Sequence, residues 1–91
     1  MFFNPTKRLV RLLRQASWQL KGHGEKQYLG DFETCQELAE FIEQSAAQLA
    51  QGDRRSLNRL WFLFAPTCDW DDAGGSLDIG NKVFALIDRL R

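Results

Sequence analysis

Apolar positions recur along most of this chain at helical spacing. Leu9, Leu13, Ala16 and Leu20 fall at i, i+4, i+7 and i+11, with Leu12 beside them, which is one face of an α-helix. Asn4 is a good N-cap for it and Pro5 suits its first position. Gly22 and Gly24 bracket His23 and end it. One of Phe2 and Phe3 is expected to staple against the first turn. The second helix opens on Thr34-Cys35-Gln36-Glu37, a capping box in which Thr34 caps and Glu37 reaches back. Leu38, Phe41, Ile42, Ser45, Ala46 and Leu49 line its inner face, and Gly52 follows its end.

Asp53 can cap a third helix directly after that glycine, with Leu57, Leu60, Trp61 and Phe64 at helical spacing. Phe62 and Leu63 make this helix apolar nearly all round, the pattern of a central, buried element. Pro66 stops it. Residues 66–78 are rich in turn formers, and Asp78 can cap a last helix carrying Ile79, Val83, Leu86, Ile87 and Leu90 on one face. Between the first two helices, Glu25 to Glu33 reads as a short turn or an irregular connector. No segment alternates cleanly with β-branched enrichment, and valine and isoleucine together number five, so no strand is predicted. The expectation is an all-α fold: a single domain over residues 1–91, a compact bundle of four main helices with short loops and no sheet.

Composition narrows the function classes. Of 91 residues, 44% are hydrophobic and 26% charged, which excludes a disordered chain. No apolar run approaches the ~20 residues that span a bilayer. With two cysteines, Cys35 and Cys68, and no signal-peptide pattern, the chain reads as cytoplasmic with both thiols reduced, although a Cys35–Cys68 pair stays open.

The zero net charge conceals an asymmetry. Residues 1–30 carry six basic groups and one acid, whereas residues 31–51 carry five acids and no base. At about 100° per residue, Lys7, Arg11, Arg14 and Trp18 fall in one narrow stripe opposite the leucines of the first helix. Trp18 then has two readings. It packs under the Gly22–Phe32 connector with Arg14 stacked on it, or it is an exposed binding anchor. Glu37, Glu40 and Glu43 form a stripe on the second helix, either an ordinary solvated face or an acidic docking strip.

Asp69-Trp70-Asp71-Asp72 places three carboxylates around a tryptophan. Such clusters can hold Mg²⁺ or Ca²⁺, but the Ca²⁺-loop spacing is absent and no histidine lies nearby, so neither a metal nor a cofactor is expected. Two readings remain. Asp69 caps a short turn and Trp70 seals the core, with Gly74-Gly75 reversing the chain, or the loop is exposed and meets a partner protein. His23, the single histidine, is expected to be solvated in its connector. Nothing aligns it with a nucleophile and an orienter, so no catalytic residue is assigned and no enzyme is expected. Neutrality argues against nucleic acid, and the apolar face of the first helix is needed for the core, which argues against a membrane surface.

The stretch Leu60-Trp61-Phe62-Leu63-Phe64-Ala65-Pro66-Thr67-Cys68-Asp69-Trp70-Asp71-Asp72-Ala73-Gly74-Gly75, followed by Gly80-Asn81-Lys82-Val83-Phe84-Ala85-Leu86, resembles a group of small bacterial helical proteins. Some of these look like immunity proteins, which neutralise the toxin domains of contact-dependent or type VI secretion systems. The resemblance covers about a third of the chain and carries no assigned binding residues. It implies an antitoxin that binds a cognate toxin or effector and occludes its active site, with Asp69, Trp70, Asp71, Asp72, Glu37, Glu40, Glu43 and Trp18 as the candidate partner-binding residues. The alternative is a small self-associating or regulatory helical module, including a homodimer.

Overall fold

A computed structural model of the chain describes residues 4–91, and the staple expected of Phe2 or Phe3 lies outside them. The described residues form five helices and no strand: α1 (Pro5–Lys21), α2 (Cys35–Ala50), α3 (Leu57–Phe64), the single turn α4 (Asp69–Asp72) and α5 (Leu77–Leu90). The radius of gyration is 12.1 Å, against about 12 Å for a well-packed domain of this length.

The local signals for α1 and α2 act as expected. Asn4 Oδ1 accepts from the Lys7 backbone N–H at 3.1 Å, with Pro5 at the first position of α1. Thr34 Oγ1 accepts from Glu37 N at 3.2 Å, and Glu37 Oε2 reaches back to Glu33 N at 3.0 Å, which completes the capping box. The connector between these helices is irregular, with one isolated antiparallel bridge between Gln27 and Thr34. Cys35 N donates to Lys26 O and Gln36 N to Gly24 O, so the start of α2 is tied to the chain just after α1.

The helices pack in the sequence α2–α1–α5–α3, with α4 beside α3 and α5. Leu9, Leu13, Ala16 and Leu20 of α1 are fully buried, as are Leu38, Ala39, Ile42 and Ala46 of α2. Each buried leucine contributes about 1.5–3 kcal/mol relative to exposure. Small residues at this contact let the backbones approach. The Ser17 hydroxyl, buried on α1, donates across to the Ala39 carbonyl of α2 at 2.9 Å. Burying that hydroxyl without an acceptor would cost about 1–3 kcal/mol, so its bond also ties the two helices in register.

The second half of the chain departs from the sequence reading in its boundaries. Asp53 does not cap α3. Its carboxylate accepts from the backbone and side chain of Arg55 in a turn, and the helix begins at Leu57. Asp53 competes locally as a turn former, which delays the helix by one turn. Nor is α3 buried all round. Leu57, Leu60, Leu63 and Phe64 face inward, while Phe62 is exposed, because α3 flanks α5 and α4 at the side of the bundle. Ala65, before Pro66, is extended at φ −59°, ψ 149° and ends the helix. Ser76, not Asp78, caps α5 by accepting from Ile79 N at 3.2 Å. Asp78 lies within the first turn and pairs with Lys82 at 3.1 Å.

Candidate partner-binding surface

The acidic loop is folded inward. Trp70, on α4, is 1% exposed and stacks on Phe64 at 5.1 Å between ring centroids. Its indole N–H donates to the Ser76 carbonyl at 2.8 Å. Gly75 and Gly80 supply the slot, since a Cβ on either would collide with the indole ring. The reading of Trp70 as a partner-binding anchor is therefore corrected: it seals the core and presents no surface.

Two of the three neighbouring carboxylates are also engaged. Asp69 Oδ2 accepts from the Tyr28 hydroxyl at 2.7 Å and from Asp31 N at 2.8 Å, which latches the α1–α2 connector onto α4. Burial, and after it the hydrogen bond to Asp69, push the Tyr28 phenol well above its ordinary pKa. Asp71 Oδ2 accepts from Thr67 N at 2.7 Å and steadies a residue whose φ is +63°. Asp72 alone of the three is exposed. Among the described residues, no group of three or more histidine, cysteine or carboxylate side chains is arranged to hold a metal ion.

The stripe on α2 is exposed but locally bonded. Glu37 belongs to the capping box, Glu40 accepts from the Gln36 amide at 3.1 Å, and Glu43 pairs with Lys21 at 2.6 Å. His23 is not solvated as expected. It is half-buried, and its Nδ1 lies 3.0 Å from the Ala73 carbonyl, an acceptor that requires the proton on Nδ1. The Cys35 thiol, fully buried, points to the same carbonyl at 3.6 Å. Both cysteines are unpaired.

Trp18 is the opposite case to Trp70. It is 79% exposed, so packing beneath the connector is excluded. The α1 stripe turns it away from the leucine face, toward a groove of about 1170 Å³. Val10, Leu49 and Ile79 contribute apolar lining from α1, α2 and α5, while Lys7, Arg11 and Arg14 add charge from α1. Among the described residues, none of these three cations has a carboxylate partner. The sequence marked the stripe by its i, i+4, i+7, i+11 spacing. Leu49 and Ile79 were marked only as members of the apolar faces of their helices, and they reach the groove because α2 and α5 flank α1.

Comparison of the chain with protein-family models, curated proteins and solved structures finds no match. No helix among the described residues is long and apolar enough to cross a membrane.

Proposed function

We propose that this chain is a protein-binding domain that acts by contact, in the manner of the immunity proteins its C-terminal third resembles. It binds a cognate toxin or effector domain and neutralises it by occluding the active site. The observation that carries this reading is Trp18, exposed beside Arg11 and Arg14 on a groove with apolar lining. Tryptophan and arginine dominate interface hot spots because they combine large contact area with directed polar groups. A tryptophan left in water on a helix whose other face is fully packed has no role in the core. The interface is thus centred on α1 rather than on the Asp69–Asp72 turn, with Glu40 of α2 and Asp72 of α4 as peripheral contacts.

The test is affinity capture from the native source, followed by reconstitution. One protein co-purifies at 1:1 stoichiometry, and its toxic activity is abolished when this chain is added. A captured protein that keeps full activity in the complex refutes neutralisation, and recovery of this chain alone refutes the protein-binding reading. The second outcome would favour the self-associating module, for which the opposite signs of the exposed α1 and α2 faces are the supporting observation.

A further inference from the structure

Resting on that protein-binding reading, we propose that the groove between α1, α2 and α5 takes an acidic amphipathic helix of the partner protein. Its apolar lining calls for an apolar ridge: the exposed Trp18 indole and half-buried Ile79 offer apolar surface, floored by the edges of the buried Val10 and Leu49. One wall sets the charge. Lys7, Arg11 and Arg14 stand on consecutive turns with no ion-pair partner among the described residues, and the groove lining contains no carboxylate at all. In a chain of zero net charge, this is a local excess of positive charge rather than a general one.

From Lys7 to Trp18 is eleven residues of α1, about 16 Å, which matches three turns of a partner helix. A helix laid alongside would bring carboxylates at i, i+4 and i+7 to the cations, with its aliphatic stripe over the groove and one side chain against the Trp18 indole. A second copy of this chain supplies a poor complement. Its acidic helix α2 already uses Glu43 on Lys21 and Glu37 in its own cap. Nucleic acid would use the cations and stack on Trp18 but would leave the aliphatic lining without a partner.

Two synthetic peptides of about three to four turns test this. Both carry the same leucine stripe. One bears glutamate and the other lysine on the flanking positions, and each is labelled for fluorescence anisotropy against the full chain. The glutamate peptide should bind at least about tenfold more tightly than the lysine peptide at about 50 mM salt, with the gap narrowing at about 300 mM. Arg11→Glu with Arg14→Glu should invert the preference. Trp18→Ala, with its fold confirmed by circular dichroism, should weaken the glutamate peptide about tenfold.

Preference for the lysine peptide, or indifference to the arginine reversal, overturns the proposal. So does a single-stranded oligonucleotide that outcompetes the glutamate peptide, or a dimer in sedimentation that hides Trp18. Its failure is separable from that of the wider reading. If the cognate protein is captured at 1:1 and neither the Trp18 nor the arginine variant weakens capture, this groove is refuted while protein binding stands.

Discussion

Gly80 lies inside α5, where alanine is ordinarily the better residue by about 1 kcal/mol. Here the sign should reverse. A Cβ at Gly80 would lie 2.6 Å from Cδ1 and 2.7 Å from Nε1 of Trp70, roughly 1 Å inside ordinary carbon contact. The ring has nowhere to retreat. Its N–H is held by Ser76, one face is stacked on Phe64, and the Gly75 backbone lies against its ring-fusion carbons. Overpacking costs about 1–3 kcal/mol, and loosening the buried indole hydrogen bond adds about 1 kcal/mol. Against the propensity gain, the net loss is about 2 kcal/mol. In a domain of this size that lowers Tm by about 10–15 °C. Thermal and urea unfolding followed by circular dichroism measure it. In a Trp70→Phe background the ring is smaller at the point of collision, so the Gly80→Ala penalty should fall by at least about half. A Gly80→Ala chain as stable as the parent, or a penalty undiminished beside phenylalanine, refutes the argument.

Trp18→Ala should change unfolding free energy by less than about 0.5 kcal/mol, because the side chain is 79% exposed; a larger loss would mean that it packs in the core. Tyr28 is the chain's single tyrosine, so tyrosinate absorbance reports it alone. Its pKa is raised above 10.0 on folding, so its contribution to stability is full below pH 10 and is lost as pH rises beyond that. The folded chain should show no titration near pH 10, and Asp69→Asn should move the midpoint down; a parent midpoint at the ordinary value refutes the latch. Hydrogen bonds from the Arg55 side chain and backbone hold the Asp53 carboxyl down to about 2. The stabilisation from that pair is present above the ordinary carboxylate pKa of 3.8 and is lost as pH falls toward 2. Carboxyl NMR titration of Arg55→Ala should return the midpoint toward the ordinary value, and an unmoved midpoint would assign the shift elsewhere.

What the sequence disclosed was what depends on near neighbours. The caps at Asn4 and Thr34, the leucine face of α1 and the outward stripe of Lys7, Arg11, Arg14 and Trp18 follow from spacing alone. The start of α3 did not, because the Asp53 carboxylate is taken by Arg55 in a turn and the helix begins at Leu57 with no side-chain cap. Trp70 was ambiguous for a different reason. Three flanking aspartates suggest solvent, yet two of them bond to Tyr28 and Thr67 while the indole enters a slot made by Gly75 and Gly80. Those glycines were visible in the sequence, but their relation to Trp70 depends on how the chain reverses at Gly74, where φ is +85°. The groove is less legible still, since Val10, Leu49 and Ile79 belong to three helices.

The placement of α1 between α2 and α5 also has a consequence for synthesis. A chain emerging from the ribosome completes α1 at Lys21, but α5, which covers one flank of it, begins only at Leu77. At about 5–20 residues per second, roughly 3–11 s separate the two events. During that interval α2 can dock by its short connector, while the other flank of α1 waits uncovered. Until α5 is made, the apolar surface of α1 that it covers is open to non-native contacts, so the last fourteen-residue helix is what closes the fold.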